Sequence, residues 1–166
     1  MSKSQEIAFE QYLEQVKKLI IKIAGVYCYH SEDRKDLIQE IILQLWKAFP
    51  KYDGQHAFST WTYRIALNVA ISNLRKVTTT KKKIEQYRNH ADILNIDDDQ
   101  VNDQLKMLYA MIGELKPIDK AIITMHLDGC KNPEIAEVMG LSNTNVSTKL
   151  ERIRKRLKSN YESKKM

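Results

Sequence analysis

The sequence predicts an all-α protein made of two small helical domains. Its 166 residues include only 5 Gly and 3 Pro, so long stretches lack the turn residues that a sandwich or barrel of short strands requires. Apolar residues recur at three- and four-residue spacing in both halves, which is the period of an amphipathic helix. An acidic stretch without this spacing separates the halves, and it predicts a linker.

The first predicted helix has its apolar residues on one face between Phe9 and Val26. Residues 27–31 interrupt the pattern and predict a break. Ser31 is the predicted N-cap of the second helix, because its hydroxyl can accept an amide hydrogen bond and acidic residues follow it.

The second predicted helix follows this cap and carries a wide apolar stripe from Leu37 to Phe49. Its opposite face is acidic and amidic with few basic residues, and includes Asp36, Gln39 and Glu40. Pro50 is predicted to end the helix, because a proline disfavours helical geometry in the residue before it.

A polar loop over residues 51–56 leads to a third predicted helix, which Ser59 or Thr60 could cap and which runs to about Lys76. This helix provides rings, amides and cations: Trp61, Tyr63, Arg64, Asn68, Asn73, Arg75 and Lys76. This combination is typical of single-stranded nucleic-acid binding, because rings stack on unpaired bases and cations follow the backbone. Phe58 and Trp61 also fit the alternative role of core packing.

The net charge of +6 is unevenly distributed. Residues 50–90 contain eight basic and two acidic residues, and residues 128–166 contain nine basic and five acidic residues. Between them, residues 91–103 contain five Asp and no basic residue. Two basic blocks around an acidic one indicate separate surfaces and a polyanionic partner.

Residues 132–158 have the pattern of a helix-turn-helix. Ala136 is the small residue where two helices approach, Gly140 is the turn, and Ser142 caps the second helix. The inner face is apolar: Ile135, Leu141, Val146 and Leu150. The outward face is polar and can reach base edges in a major groove: Thr144, Asn145, Ser147, Thr148, Lys149, Glu151 and Arg152.

Cations along the same helix suit phosphates: Lys149, Arg152, Arg154, Lys155, Arg156 and Lys158. The alternative interpretation is a helical hairpin whose basic residues only solvate its surface.

Catalytic, metal and cofactor sites are not expected. The four histidines and the two cysteines have no metal-ligand spacing, and the sequence has no phosphate-binding glycine loop or nucleophile elbow. Cys28 and Cys130 are predicted to be reduced core residues. No apolar signal core or membrane-length run occurs, so we expect a cytoplasmic protein without direct membrane insertion.

Two strings, DLIQEIILQLWKAF and FSTWTYRIALNVAISNLRK, together resemble the second conserved domain of bacterial RNA polymerase sigma factors. The helix-turn-helix, preceded by LKPIDKAIITMHLDGCKNPEIAEVMGLS, resembles their fourth domain. Their order and spacing, with no third domain between, resemble the two-domain extracytoplasmic-function group. The resemblance implies domains over residues 1–78 and 105–166 and a linker over residues 79–104.

It also implies an alternative sigma factor that binds core RNA polymerase, directs it to promoters through the −10 and −35 elements, and promotes DNA melting. Asp36, Gln39 and Glu40 match the surface that docks on the clamp helices of the largest subunit; the flap region is the second expected polymerase contact. The residues implied at the −10 element are Tyr52, His56, Trp61, Tyr63, Arg64, Asn68 and Ser72. Among them, Tyr52, Asn68 and Ser72 would line a pocket for a flipped base.

In the helix-turn-helix, the resemblance places Ser147, Thr148 and Glu151 at the −35 element, with Thr144 and Asn145 beside them. Lys149, Arg152 and Arg156 match positions that hold phosphates. Many relatives carry a basic residue where Ser147 stands, and Glu151 is acidic on a face that meets DNA, so the −35 sequence cannot be copied from a relative.

Three questions stay open at the level of sequence. The acidic linker either threads the polymerase cleft or is a solvated spacer. An anti-sigma partner is implied by the resemblance and by no residue of this chain. The rival function is a conventional helix-turn-helix regulator that binds duplex DNA without polymerase, with the first half as a sensor or dimerisation domain.

Overall fold

A computed structural model of the chain describes residues 2–77 and 103–165. In these two ranges it contains seven α-helices, one short 3-10 turn and no strand, which confirms the all-α prediction. The predicted linker lies outside the described residues except for its last two positions. The helices are α1 Lys3–Tyr27, α2 Ser31–Ala48, α3 Phe58–Val77, α4 Asp103–Gly113, α5 Pro117–Leu127, α6 Asn132–Met139 and α7 Asn143–Lys165.

Helices α1, α2 and α3 pack on one another as an N-terminal unit. Each helix buries one stripe of apolar side chains, as its three- and four-residue spacing predicted. The centre of this unit contains Ile20, Ile23, Ile41, Leu45 and Leu67, all at most 2% exposed.

Three predicted helix ends were wrong by one or two residues. The N-cap of α2 is His30, whose extended backbone lets its carbonyl accept the amide of Arg34 at 2.9 Å, so Ser31 is already helical. Helix α3 begins at Phe58, before Ser59 and Thr60. Helix α2 ends at Ala48, and Pro50 lies in the 3-10 turn Phe49–Lys51.

Helices α4 to α7 form a C-terminal unit in which α7 contacts α4, α5 and α6. Gly140 ends α6 with φ 68°, in the left-handed region that glycine adopts without steric cost. Helix α7 continues to Lys165, well past the predicted end near Lys158. Leu157 is buried and Tyr161 packs on the core, so tertiary contacts support the additional turns.

The two units pack against each other. Helix α1 contacts α4 and α5, and helix α3 contacts α5 and α6, so buried residues of both units join one apolar cluster. Tyr27 and Tyr29 leave the end of α1 and are buried against the second unit, where Tyr27 donates a hydrogen bond to the Pro117 carbonyl at 2.7 Å. We call this contact region the junction.

Candidate polymerase and nucleic-acid interfaces

The polar face of α2 is open to solvent. Asp36, Gln39 and Glu40 are all exposed on it, while Leu37 and Ile41 point into the core. Gln44 donates to the Glu40 carboxylate at 2.8 Å, one turn further along. The sequence argument missed Leu43, which is 44% exposed on the same helix and could contact an apolar patch of a partner.

An open groove of about 610 Å³ runs between α2 and α3. The α2 wall includes Asp36, Glu40 and Gln44, and the α3 wall includes Asn68 and Ser72. Two residues expected at DNA therefore border the surface expected at polymerase. The amides and carboxylates of this groove offer both hydrogen-bond donors and acceptors to whatever enters it.

The three residues predicted to line the flipped-base pocket, Tyr52, Asn68 and Ser72, do not all line one groove in this structure. Tyr52 lies at the other end of α3, where its ring centroid is 4.9 Å from that of Phe58 and 5.1 Å from that of Trp61. Asn68 follows Trp61 by seven residues, which is about 10 Å along a helix. The rings and the amide therefore occupy separate parts of the surface.

The ring cluster gives Phe58 and Trp61 the core packing that the alternative role predicted, and it leaves both rings partly exposed. Tyr12 packs behind them, with ring centroids 5.2 Å from Phe58 and 5.7 Å from Trp61. Yet Phe58 is 37% exposed, and Trp61 is only partly buried. Because aromatic pairs prefer tilted or edge-to-face geometry, the cluster is a rigid platform with one open side.

The loop before α3 is fixed by its own hydrogen bonds. Tyr52 donates from its hydroxyl to the His56 carbonyl, and the Asp53 carboxylate accepts the Gln55 amide at 3.0 Å. Gly54 has φ 78°, which lets the chain turn within the polar loop predicted over residues 51–56. These bonds hold Tyr52 over α3.

The remaining predicted −10 residues face the second unit. His56 Nδ1 lies 3.2 Å from a Glu137 carboxylate oxygen, and Arg64 donates to the Glu137 carbonyl at 3.3 Å. Tyr63 is 2% exposed and donates to the Asp128 carboxylate. Periodicity alone could not reveal this partner of Tyr63, because Asp128 lies 65 residues away in the sequence.

The turn of the helix-turn-helix has the predicted chemistry. Ser142 accepts the Asn145 amide at 3.1 Å, which is the expected N-cap bond of α7. Ala136 and Ile135 are buried where α6 meets α7, and Val146 is fully buried behind the turn.

The predicted −35 residues form two stripes on α7. Successive residues turn by about 100°, so Thr144, Ser147, Thr148 and Glu151 lie on the side away from the core. Asn145, Lys149, Arg152 and Arg156 form a second stripe about a third of a turn away. Seven of these eight side chains are exposed, and Lys149 is half-buried.

The second stripe borders a groove of about 720 Å³. Lys149, Arg152 and Arg156 provide cationic walls, while Pro117 and Ile118 from the start of α5 provide an apolar floor. This arrangement concentrates three positive charges beside one face of the reading helix. These charges suit the phosphate backbone that borders the DNA major groove in which α7 would lie.

The first stripe is partly neutralised. Lys155 pairs with Glu151 at 3.3 Å across one turn, and Ser147 accepts from Asn132 at 3.0 Å. Lys155 therefore offsets the acidic charge that the sequence placed at the reading surface. Arg154 instead points toward α5, where it lies 2.7 Å from the His126 ring.

Among the described residues, no group of three His, Cys, Asp or Glu side chains could hold a metal ion. None of the helices described is long and apolar enough to cross a membrane. Both cysteines are free thiols, as predicted. Burial raises the pKa of the Cys28 thiol to about 12 and that of Cys130 to about 11.

Comparison with protein families identifies both units. Residues 9–80 match the model of Sigma-70 region 2, and residues 105–157 match the model of Sigma-70, region 4. The matches coincide with the N-terminal and C-terminal units and occur in the expected order. The chain belongs to the sigma-70 family.

Relatives of this sigma factor specify its group. It is 26% identical over 151 residues to the ECF RNA polymerase sigma-E factor of Escherichia coli, covering 84% of this chain and 78% of that protein. It is 24% identical over 164 residues to the ECF RNA polymerase sigma factor SigG of Mycobacterium tuberculosis, covering 80% of this chain and 44% of that protein. It is an extracytoplasmic-function (ECF) sigma factor.

Two solved structures share the fold of this sigma factor. CnrH, in complex with the cytosolic domain of CnrY, matches with TM-score 0.67 and 22% identity over 95% of this chain and 90% of that one. Sigma factor RpoE of Bartonella quintana, in complex with the anti-sigma factor NepR, matches with TM-score 0.69 and 18% identity over 92% and 95%.

These findings confirm the predicted function. The chain is an alternative sigma factor that directs RNA polymerase to promoters, and core polymerase and promoter DNA are its partners. It is a transcription initiation factor.

Proposed function

We propose that this sigma factor divides its work among three surfaces. The face of α2 with Asp36, Gln39 and Glu40 docks on the clamp helices of the polymerase largest subunit, and the C-terminal unit contacts the flap region. The functional domains span residues 1–78 and 105–166, joined by a linker over residues 79–104. Because core polymerase is cytoplasmic, the protein acts in the cytoplasm.

The second surface captures one strand of the −10 element. Tyr52 and Trp61 provide the ring platform, and Asn68 and Ser72 bind a base in the groove beside α2. His56, Tyr63 and Arg64 contact the melted strand nearby. A base that unstacks transiently is held outside the duplex, which shifts the equilibrium toward the open bubble without any covalent step.

The third surface reads the −35 element as duplex. Residues of the outer stripe of α7 reach base edges: Thr144, Ser147, Thr148 and Glu151. The second stripe contacts the phosphates alongside through four residues: Asn145, Lys149, Arg152 and Arg156. An acidic Glu151 can accept a hydrogen bond from cytosine N4, so it favours a C at the base it meets.

The observation that carries this proposal is the chemical difference among the three surfaces. The α2 face is acidic and amidic, the start of α3 is aromatic, and the second stripe of α7 is cationic. A protein docking on duplex DNA alone would have no use for an exposed acidic face in the same unit as an aromatic platform, since that face repels phosphates.

An anti-sigma protein is a further proposed partner. The RpoE chain that shares this fold is bound to the anti-sigma factor NepR. A partner of this kind would inhibit by covering one of the three surfaces proposed here.

The test is run-off transcription with core polymerase on a random promoter library, with and without this protein. We expect sequence-specific starts only when the protein is present, and weak DNA binding by the protein alone. A conventional regulator would instead bind duplex DNA tightly without polymerase, and absence of both specific starts and core binding would refute the proposal.

The docking face is tested in the same assay by the triple change Asp36→Ala, Gln39→Ala and Glu40→Ala. Core affinity should fall on the order of a hundredfold, since several polar contacts are lost together, while −35 duplex binding stays unchanged. The matched control removes two exposed acids and one amide from α1, at Glu10, Glu14 and Gln15. Loss of −35 binding with normal core affinity would contradict the assignment.

A further inference from the structure

Two neighbouring hydroxyl groups on the first stripe of α7 have different hydrogen-bond partners. Ser147 and Thr148 are both exposed on this stripe. The Thr148 hydroxyl donates to the Thr144 carbonyl, one turn earlier in the helix, at 3.0 Å. The Ser147 oxygen instead accepts from the side-chain amide of Asn132 at 3.0 Å. The two hydroxyls are therefore left with different hydrogen-bonding capacity toward DNA.

The Thr148 hydroxyl presents only acceptor sites to a base. A hydroxyl has one proton and two lone pairs, and a helical Ser or Thr commonly gives its proton to the carbonyl four residues back. Thr148 makes this bond, so its proton is already used within α7. The Glu151 carboxylate, one turn further along the stripe, also accepts and does not donate.

The Ser147 hydroxyl keeps its proton for a base. The Asn132 amide occupies one lone pair of the oxygen. Among the residues that the structure describes, no acceptor takes the proton of Ser147, and the carbonyl four residues back is not used. The first stripe therefore presents one donor, at Ser147, beside the acceptors of Thr148 and Glu151.

The packing of the helix-turn-helix places Asn132 for this contact. Asn132 is the first residue of α6, and its side chain is half-buried. Ile135 and Ala136, about one turn further along α6, are buried where α6 meets α7. This apolar contact fixes the approach of the two helices, so the amide at the start of α6 meets Ser147 across 15 residues of sequence.

We propose that Asn132 is a positioning residue that determines base preference at the −35 element by holding Ser147 as a hydrogen-bond donor. This inference rests on the −35 assignment of the proposed function. In the major groove, cytosine presents a donor and no acceptor, whereas guanine and thymine present acceptors and no donor. Ser147 therefore disfavours C at the base that it meets, and Thr148 disfavours G and T at its own base.

Asn132→Asp reverses the polarity of Ser147 without changing the shape of the side chain at residue 132. A carboxylate only accepts, so Ser147 gives its proton to Asp and turns only lone pairs toward DNA. An acidic side chain suits the first turn of a helix, so α6 should stay folded. At the base that Ser147 meets, the ratio of G to C among selected promoters should fall about fivefold or more, which is the size of one hydrogen bond.

The measurement is transcription by the holoenzyme from a promoter that the wild type selects. The −35 element is randomised, and each template carries a transcribed barcode, so sequencing of the RNA gives the base preference at every −35 position. Ser147→Ala first locates the position that Ser147 reads, as the one where preference is lost. Asn132→Asp should then exchange the preference from G and T to C at that position.

The matched control combines Asn132→Asp with Ser147→Ala. Without the Ser147 hydroxyl, the residue at position 132 has nothing to orient, so the double variant should have the base preferences of Ser147→Ala alone. A merely structural role of Asn132 would instead alter the preferences in both backgrounds, and that result would overturn the inference.

Asn143→Asp controls for the added negative charge. Asn143 is the exposed first residue of α7, and in the described part of the chain it forms no hydrogen bond with Ser147. The same change of amide to carboxylate should lower transcription through repulsion of phosphates, and it should leave the preference at the position read by Ser147 unchanged. An exchange of preference by this control equal to that of Asn132→Asp would overturn the inference.

Thr148→Val tests the acceptor beside Ser147. Valine keeps the branched shape of Thr148 and removes the oxygen, so discrimination against G and T at the base that Thr148 meets should fall about threefold. Unchanged preferences at every −35 position would contradict the assignment of Thr148 as an acceptor.

The same experiment distinguishes this inference from the function beneath it. If the wild type gives no specific starts, or if Ser147→Ala changes the preference at no −35 position, the proposed function of this surface fails. If Ser147→Ala changes one position and Asn132→Asp keeps the wild-type preference there, only the positioning role of Asn132 fails.

Discussion

The outer surface of α7 and the outer surface of α3 are both assigned to DNA, but they differ in accessibility. On α7, seven of the eight side chains assigned to the −35 element are exposed. Around α3, Tyr63 is buried, and Arg64 and His56 contact the second unit. The difference teaches that the side chains assigned to the −35 element are accessible in this structure, whereas three of those assigned to the −10 element are held by contacts with the second unit.

The physical cause is the number of neighbours that each helix has. Helix α7 is supported from one side by α4, α5 and α6, so a wide part of its circumference stays in water. Helix α3 packs against α1 and α2 on one side and against α5 and α6 on another. A helix held between two units leaves only a narrow strip free for a ligand.

The largest expected effect concerns the exposed surface. Changing Arg152 and Arg156 to Ala should weaken binding of −35 duplex roughly tenfold and reduce the slope of log affinity against log salt by about 2. The control changes Lys17 and Lys18, which are exposed on α1, and removes the same charge. Fluorescence anisotropy at several salt concentrations measures the duplex affinity and its salt slope. An equal loss of affinity in the control would show that net charge alone matters.

A smaller effect is expected at the open part of the −10 surface. Tyr52→Ala removes one ring of a partly exposed platform, and the low end of the stacking range, about 1 kcal/mol per base, corresponds to an approximately fivefold fall in open-complex formation by the holoenzyme. Tyr52→Phe keeps the ring and loses only the hydrogen bond to the His56 carbonyl. It should therefore retain most of the activity in a permanganate-footprinting assay, and equal losses in both variants would point to loop stability instead of stacking.

The smallest expected effect is a change in the alkylation rate of Cys130, which lies near Lys22 at the junction. Burial holds the pKa of Cys130 at about 11, and the nearby Lys22 of α1 lowers it only in part. A Cβ atom at residue 113 would lie 2.5 Å from the Tyr29 hydroxyl oxygen, so Gly113→Ala should loosen the junction and rehydrate the Cys130 thiol. The pKa of Cys130 then falls toward the usual value, and more thiolate forms at mildly alkaline pH. Iodoacetamide should then alkylate Cys130 faster than in the wild type.

Cys28 is the internal reference for that measurement. Cys28 is 5% exposed and has a pKa of about 12. Its rate of alkylation, measured by mass spectrometry, should change less than that of Cys130. Equal acceleration at both cysteines would indicate general loosening of the fold rather than separation of the units.

Much of the fold and part of the site could be predicted from the sequence. The helix-turn-helix was predicted to within one residue at its turn, because Gly140 and Ser142 act through bonds that span only a few residues. The starts of α2 and α3 were predicted less accurately, because several polar residues near each start could have served as a cap. The end of α7 was missed because Tyr161 is held by tertiary packing.

Local chemistry thus determined the helices, their apolar faces, the reading turn and the exposed polar face of α2. Only the tertiary structure decided that Tyr63 is buried, that Asn68 and Ser72 lie apart from Tyr52, and that Gly113 must lack a side chain. The reason is the distance along the chain over which each interaction acts. A helical period and a cap depend on residues only a few positions apart, whereas Asp128 contacts Tyr63 over a sequence separation of 65 residues and Lys22 over one of 106.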